Sequence, residues 1–377
     1  MNEDRSARYH KLRRRAAAVS TAWSVALLLA FAATPLSAWL RDLSDALVVR
    51  FGFPSWLRPS AVVIAYVACL GTLHELGSLP IAFYHGFLLE RRYGLSTERL
   101  RSWLFDHVKG GLIGAALSLT GFCLLYLVMR QWPAAWWAIA GTGFAIIVVL
   151  MVQLAPVVLM PIFFTFRPLE RQDLRARLLA LSQRAGVAVV DACEWQMSDR
   201  TKKANAALAG IGRTRRILVS DTLLATHTDD EIEVILAHEL GHHVRHDIWR
   251  GIAFQTLVML AGFYLAGRVL VVLARPLGLA GIADVAGLPV LLLAAGLLSL
   301  VLVPLANALS RRMERAADQF AFGLTGRAME FASAMQRLGA QNLAEENPSR
   351  VSRWLFHTHP TIAERIAAAR EWAAKHS

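Results

Sequence analysis

The sequence predicts a mainly α-helical, polytopic membrane protein with about six transmembrane helices and a small α+β domain. Hydrophobic residues make up 55% of the 377 residues and charged residues only 18%, whereas soluble globular chains carry about 25% charged residues. Mean hydropathy is +0.42. The apolar residues also occur in blocks of about 20, the length of helix that spans a bilayer. Composition and block length therefore exclude a purely soluble chain.

Six apolar segments are long enough to span a membrane. The fourth contains Pro156 and Pro161, and because proline interrupts helical hydrogen bonding we expect a tilt or kink there. A seventh span within this segment is left open. The second contains His74 and Glu75, and ionisable groups in a span usually face protein or water rather than lipid. The six segments cover approximately residues 18–40, 60–86, 110–130, 135–164, 249–273 and 286–309.

Basic residues predict which ends of the spans lie inside the cell. The amino-terminal tail, MNEDRSARYHKLRRR, is strongly basic, and basic flanks favour the cytoplasmic side of a membrane. Six spans then place both termini and the long polar regions 87–109, 165–248 and 310–377 on that side. The compact, Arg- and Ala-rich chain favours a bacterial inner membrane. The net charge of +12 fits basic flanks, and since no basic-aromatic module accompanies it, the expected partner is the lipid bilayer and not nucleic acid.

The polar stretch 165–248 predicts the small α+β domain. Its helices are predicted from apolar residues at helical spacing, and its strands from runs rich in Val and Ile. Thr228 or Asp229 can cap the last of these helices, which has acidic residues in its first turn. The predicted helices cover 169–184 and 229–246, with two more in the tail at 328–344 and 361–375, and the strands cover 187–196 and 216–220.

The sequence His238-Glu239-Leu240-Gly241-His242 carries the chemistry of the predicted helix. Histidines at positions i and i+4 lie on one helix face, so both imidazoles can bind one Zn2+ ion. Zinc lowers the pKa of water, and Glu239 can then act as the base that takes its proton. The pattern predicts a zinc-metalloprotease domain that hydrolyses peptide bonds, although an exposed His-rich helix end is the simpler alternative.

A third protein ligand is needed for this metal. The longer pattern HExxHxxGxxH fails, because Arg245 and Ile248 occupy the required glycine and histidine positions. His246 shares the helix face but lies eight residues from the first ligand, or about 12 Å along a helix. We expect Glu314 to be the ligand, since two spans return it to the same membrane side. Asp318, one turn later, can orient a ligand imidazole.

A second copy of the motif's beginning provides an internal comparison. His74-Glu75-Leu76-Gly77 repeats the first four residues, but Ser78 occupies the position of the second histidine. This segment lacks the pair of ligands, so we expect it to be an ordinary packed span.

These motifs together resemble the gluzincin membrane proteases related to the type I CAAX prenyl protease. The zinc motif, two spans and then Arg311-Arg312 with Glu314 and Asp318 carry the resemblance around the metal. The resemblance extends over roughly residues 60–370, and eukaryotic members usually have seven spans where six are found here. The other matching segments begin at Phe87-x-x-Glu90, Ala155-Pro156, Lys203-Ala204-Asn205-Ala206, Arg215-Arg216-Ile217, Ser220-Asp221 and His359-Pro360.

The resemblance implies specific roles for residues in this chain. It implies one zinc ion on His238, His242 and Glu314, with Glu239 as catalytic base. It also implies that the strand edge at Asn205 and Ala206 pairs with an extended peptide substrate, which gives main-chain hydrogen bonds with little sequence selectivity. His359 and Arg365 are implied to lie near the reacting carbonyl or the substrate.

The expected activity is removal of the C-terminal tripeptide that follows a prenylated cysteine, from peptide or protein substrates that are prenylated or membrane-inserted. One alternative keeps the chemistry in a heat-shock-type protease that degrades damaged membrane proteins. Another is a catalytically silent membrane scaffold, which an intact Glu239 argues against. The sequence predicts no oligomeric state. The predicted parts are a membrane module with four spans, a first catalytic part, a transmembrane hairpin and a second catalytic part, at 1–164, 165–248, 249–309 and 310–377.

Overall fold

The computed structural model describes residues 2–210 and 214–376, and helices dominate this part of the chain. The fold class that the sequence predicts is confirmed. Short π-helical segments at Tyr84–Leu88 and Ala155–Leu159 and a 3-10 turn at Val285–Gly287 join some of the helices. The helices are α1 (Asn2–Ala33), α2 (Leu36–Arg50), α3 (Arg58–Phe83), α4 (Leu89–Arg92), α5 (Leu100–Gln131), α6 (Trp136–Leu154), α7 (Met160–Phe163), α8 (Gln172–Arg184), α9 (Asp221–Leu224), α10 (Asp229–Val244), α11 (Asp247–Ala274), α12 (Leu288–Thr325), α13 (Ala328–Gln341), α14 (Arg350–Phe356) and α15 (Ile362–His376).

Six helical segments in the described residues are long and apolar enough to cross a membrane, which agrees with the predicted number. Their apolar side chains remain largely exposed on the protein, as expected for helices that contact lipid. The six segments are Arg5–Ala33, Arg58–Arg92, Leu100–Gln131, Trp136–Leu154, Asp247–Ala274 and Val285–Thr325.

The first predicted span differs from the structure at its end. It was expected to continue to residue 40, but α1 ends at Ala33. Pro35 explains the difference, because the residue before a proline is driven out of helical conformation. The chain after α1 and before the second span contains the 15-residue helix α2.

The fourth predicted span is interrupted where prolines were expected to disturb it. Helix α6 ends at Leu154, a π-helical turn follows at Ala155–Leu159, and α7 completes the segment. A π-helical turn accommodates an extra residue within a helix, which is one of the identified causes of helix kinks.

A four-stranded sheet lies in the domain between the fourth and fifth spans. Its strands are β1 (Thr165–Pro168), β2 (Asp191–Gln196), β3 (Ala206–Ala209) and β4 (Arg216–Ser220), in the order β1-β2-β4-β3. β2 and β4 are parallel, and the two outer strands are antiparallel to their neighbours. The predicted strands correspond to β2 and β4, whereas the outer strands lack a long apolar run. As the last strand in this order, β3 lies at one edge of the sheet.

The two largest apolar cores among the described residues lie in the α+β domain and between the membrane helices. One joins the sheet to α8, α10 and α13, with Ile217, Leu236, Leu240 and Phe331 fully buried. The other lies among the membrane helices around Tyr66 and neighbouring side chains. Helix α12 contributes to both cores, because Leu288 packs in the membrane core and Phe322 in the domain core.

Candidate active site

Helix α10, which carries the His-Glu-x-x-His sequence, is defined at its start and buried along its length. The Thr228 hydroxyl accepts a hydrogen bond from the Glu231 N–H, and the Glu231 carboxylate accepts one from the Thr228 N–H. This reciprocal pair satisfies amide groups that the first turn of a helix leaves without partners. Ala237 and Leu240 are fully buried in the domain core, so packing fixes the rotation of the helix and the direction of its histidines.

His238, His242 and Glu314 bring three donor groups together. Nε2 of His238 lies 3.2 Å from Nε2 of His242, and the Glu314 carboxylate oxygens lie 3.4 Å and 3.3 Å from these two nitrogens. Tetrahedral zinc with bonds of about 2.0–2.1 Å places its donor atoms about 3.3 Å apart. Glu314 Oε2 is also buried without a hydrogen bond of good geometry to any described residue. The donor types, the spacing and this oxygen fit a bound metal ion.

Gly241 allows α12 to approach α10 closely enough to deliver Glu314. A Cβ atom at Gly241 would lie 3.2 Å from both Cα and the carbonyl oxygen of Ala317, which is closer than a Cβ normally approaches backbone. Ala317 is itself fully buried. The small residues on the two helices therefore set the distance between the histidines and the carboxylate.

Each histidine also contacts a buried carboxylate through its other ring nitrogen. Nδ1 of His238 lies 2.8 Å from Asp318, and Nδ1 of His242 lies 3.1 Å from Asp247. Such contacts leave Nε2 free to bind a metal and fix the orientation of the ring. Asp318 was predicted in this position, whereas Asp247 was missed. Its signal in the sequence is a carboxylate that lies between the predicted zinc helix and the following span.

Burial and the contacts with these carboxylates have opposite effects on the pKa values of the two histidines. Burial lowers the pKa of His238, but contacts with Asp318 and Glu314 outweigh burial and raise that pKa to about 9. The pKa of His242 is also raised, because Glu314 outweighs the effect of burial. Carboxylates that stabilise a positive charge on these rings stabilise a metal cation equally well. Burial raises the pKa of Glu239 above its ordinary value, and a carboxylate with a raised pKa accepts protons better near neutral pH.

A cavity of about 480 Å³ opens onto these side chains. Asn205 and Ala206 line one wall, at the beginning of the edge strand β3, and His359 and Arg365 line another. The His359 side chain is 63% exposed, and its Nδ1 lies 2.9 Å from Glu314. The structure therefore brings every predicted site residue except Asp318, which lies behind His238, to the wall of one cavity.

Two details of this cavity were not predicted. Arg365 donates hydrogen bonds to both carboxylate oxygens of Asp318, so one edge of its guanidinium is used inside the protein. Asn342 also lines the cavity, although it follows α13 in a loop without any recognisable motif. Its position depends on contacts with residues far away in the sequence.

The fold and the site together define an integral membrane metalloprotease with a His-Glu-x-x-His helix. The chain belongs to peptidase family M48, because the model of that family matches residues 168–373. A second family model, described as CAAX prenyl protease N-terminal with five membrane helices, matches residues 2–165. In this part the structure has four helices of spanning length and the shorter α2.

Similar proteins include both bacterial and eukaryotic members. An uncharacterized metalloprotease YhfN of Bacillus subtilis (strain 168) is 31% identical over 310 residues, which is 81% of this chain and 72% of that protein. The CAAX prenyl protease 1 homolog of Arabidopsis thaliana is 28% identical over 347 residues, which is 88% of this chain and 78% of that protein. The crystal structure of S. mikatae Ste24p has a TM-score of 0.84 at 23% identity, over 98% of this chain and 88% of that one, which shows a shared fold.

Proposed function

We propose that this membrane metalloprotease is a zinc endopeptidase, with one Zn2+ held by His238, His242 and Glu314. The observation that carries this proposal is that the two imidazole Nε2 atoms lie 3.2 Å apart, and that each lies 3.3–3.4 Å from one of the two Glu314 carboxylate oxygens. Nitrogen and carboxylate donors at this spacing suit zinc, and three protein ligands are typical of a catalytic zinc site. Bound zinc supplies a Lewis acid that polarises the scissile carbonyl and lowers the pKa of water.

In this proposal the neighbouring side chains move the protons and hold the ligands. Glu239 takes a proton from the attacking water, for which its raised pKa suits it. Asp318 and Asp247 orient the two imidazoles through Nδ1. His359 is exposed to the cavity beside Glu314 and can donate a hydrogen bond to the reacting carbonyl. Arg365 lies beside the same space and holds Asp318.

The proposed substrate is a peptide or protein that binds in extended conformation along Asn205 and Ala206. β3 pairs only with β4 in the described sheet, so its other edge can accept a further strand. Helix α10 is followed at Asp247 directly by a span, which supports a site close to the membrane. A substrate with a prenyl group or a membrane-inserted end fits this location, and several relatives are named CAAX prenyl protease.

The proposed location is the inner membrane of a bacterium, with the catalytic domain and both termini in the cytoplasm. The basic amino-terminal tail supports this orientation. Arg14 pairs with Glu345, which is consistent with the tail and the catalytic domain lying on one membrane side. We also propose that the chain is divided into a membrane module at 1–164, a first catalytic part at 165–248, a transmembrane hairpin at 249–309 and a second catalytic part at 310–377.

A cleavage assay in liposomes tests this function. Purified wild-type protein is expected to contain one zinc ion and to cleave a farnesylated CAAX peptide faster than its unprenylated form. Glu239→Gln should keep the zinc and lose activity by about 10³-fold. Full activity in this variant would contradict the assignment of the base. Equal cleavage of both peptides would contradict the preference for prenylated substrates and favour degradation of damaged membrane proteins.

A further inference from the structure

The loop between α13 and α14 connects the active-site cavity with the first helix of the chain. The side-chain amide of Asn342 accepts a hydrogen bond from the Ala204 N–H at 3.1 Å and donates one to the Ala204 carbonyl at 3.3 Å. Gln341 donates to the Lys202 carbonyl at 2.7 Å. These bonds occupy the backbone immediately before Asn205, where the proposed substrate-binding edge begins.

The next residues of this loop are bound by the amino-terminal part of α1. The buried Ser6 hydroxyl lies 3.1 Å from the carbonyl of Leu343 and donates to that of Ala344 at 2.7 Å. His10 Nε2 lies 2.8 Å from the Leu343 carbonyl. Arg14 donates two hydrogen bonds to the Glu345 carboxylate, at 2.6 Å and 3.1 Å. One face of α1 therefore binds three consecutive residues of the loop, namely Leu343, Ala344 and Glu345.

The conformation of Leu343 shows that this loop depends on external contacts. Its φ of +50° lies in the left-handed region, which is unfavourable for a residue other than glycine. The Leu343 side chain packs against the buried cluster of Tyr9, Leu89, Tyr93 and Leu95. Ser6 and His10 of α1 both contact the Leu343 carbonyl. Because of these contacts, α1 stabilises the turn that directs Asn342 into the cavity.

A second connection leads from α1 to the same backbone. The Tyr9 hydroxyl is hydrogen-bonded to Glu90, and Glu90 pairs with Lys203 at 2.8 Å. The Lys202 N–H donates to the Leu95 carbonyl at 2.9 Å. The segment before β3 is therefore held by the loop after α13 and by the membrane module together.

We propose that residues 6–14 of α1 position Asn342, and that Asn342 in turn positions the beginning of the β3 edge for substrate binding. This inference rests on the proposed peptide binding at that edge. It gives the basic amino-terminal tail a role in substrate binding in addition to its role in membrane orientation. Asn342 also closes one end of the edge, because the backbone groups of Ala204 that it binds are no longer available to a substrate strand.

Substitutions at the two ends of this connection test the proposal. We expect Asn342→Ala and Arg14→Glu each to raise KM for the liposome-bound peptide by about fivefold to tenfold, as expected for loss of one or two hydrogen bonds. The value of kcat and the zinc content should change by less than about twofold, since the metal site is unaffected. A purely structural role would lower the active fraction and the measured kcat and leave KM unchanged.

Three matched variants sharpen this test. Arg15→Glu changes the charge of the tail equally at an exposed neighbouring position and should keep wild-type KM. Arg14→Lys keeps a positive charge near Glu345 and should restore most of the binding. In the double variant Arg14→Glu/Asn342→Ala, KM should equal that of Asn342→Ala alone, because Arg14 binds the loop that carries Asn342 and acts through that residue. Multiplied effects in the double variant, or an equal effect of Arg15→Glu, would overturn the proposal.

Hydrogen–deuterium exchange separates this inference from the proposed function. The amides of residues 202–206 should exchange faster in Arg14→Glu than in the wild type, with no such change in Arg15→Glu. Unchanged exchange would overturn the inference even if the protein proves to be an active protease. Faster exchange in a protein that binds zinc but cleaves no peptide would contradict the proposed function and leave the structural connection intact.

Discussion

The chain contains the tetrapeptide His-Glu-Leu-Gly twice, once in α10 and once in α3, and the two copies have different surroundings. In α10, His238 and His242 face Glu314, and buried Asp318 and Asp247 lie behind their rings. In α3, His74 Nε2 lies 2.9 Å from the Ser24 hydroxyl. The same residues on the same kind of helix therefore produce a candidate metal site in only one place. The second histidine and the buried carboxylates of the neighbouring helices make the difference.

The glutamates of the two copies differ in the same way. Glu239 lines the cavity beside the histidines, and burial raises its pKa. The Glu75 side chain is 56% exposed and pairs with His107. Both copies place their glycine against a neighbouring helix: Gly241 contacts α12, and a Cβ at Gly77 would lie 2.1 Å from the Trp23 ring. The glycine therefore allows close helix packing in both copies, but only α12, the helix that packs on Gly241, supplies a candidate metal ligand.

Removing the carboxylate of the partner helix should have the largest effect. Glu314→Ala leaves two histidine ligands, which is one fewer than a catalytic zinc site needs. We expect the zinc content to fall close to zero and kcat/KM to fall by at least about 10³-fold. Metal analysis and the peptide assay measure both. Glu75→Ala removes the exposed carboxylate of the copy in α3 and should retain zinc and activity. Loss of zinc in this control would show that the effect is not specific to the site.

The carboxylates behind the histidines should have an intermediate effect. Asp318→Asn and Asp247→Asn keep the size of the side chain but weaken the contact with Nδ1, and such outer contacts contribute about 10–100-fold in metal affinity or activity. Competition with a chromophoric chelator measures the affinity. Asp318→Asn should be the more severe of the two, because Asp318 lies closer to its histidine and also holds Arg365 at the cavity wall through two hydrogen bonds. An affinity equal to that of the wild type in both variants would contradict their role in orienting the rings.

Substitution of the shared glycine should have a smaller effect on the metal. Gly241→Ala places a methyl group against the backbone of α12, and we expect overpacking to cost about 1–3 kcal/mol and to move Glu314 away from the histidines. Zinc affinity should then fall by about tenfold for a loss of about 1.4 kcal/mol in binding. Gly77→Ala also overpacks a helix contact, but it should lower thermal stability without changing zinc affinity. Equal zinc affinities in the two variants would contradict the positioning role of Gly241.

The contrast between the two copies also shows what the sequence can predict. Apolar length predicted the spans, and the second histidine distinguished α10 from α3, because both are properties of a few adjacent residues. The ligand triangle was expected from Glu314, since topology limited the candidates. Asp247, Asn342 and the docking of Ser6 on the loop were missed. These contacts join residues that are distant in sequence or carry no motif, and the packing of several helices determines them.

Completing the motif in α3 should have the smallest effect. Ser78→His would create a second His-Glu-Leu-Gly-His sequence, with both histidines on one face of α3. Ser24 and Trp23 lie beside this part of the helix, and His74 belongs to no group of three potential metal ligands among the described residues. Two imidazoles alone leave zinc one protein ligand short. We therefore expect one zinc ion per chain after dialysis, as in the wild type.

The double variant Ser78→His/Glu314→Ala lacks the third ligand of the site on α10. It should therefore contain almost no zinc. Wild-type peptide cleavage by Ser78→His alone would show that the variant folds. A second zinc ion in Ser78→His, or one ion in the double variant, would mean that the five-residue motif is sufficient. If no additional zinc binds, the site depends on the carboxylates that α12 and the first residue of α11 bring to α10.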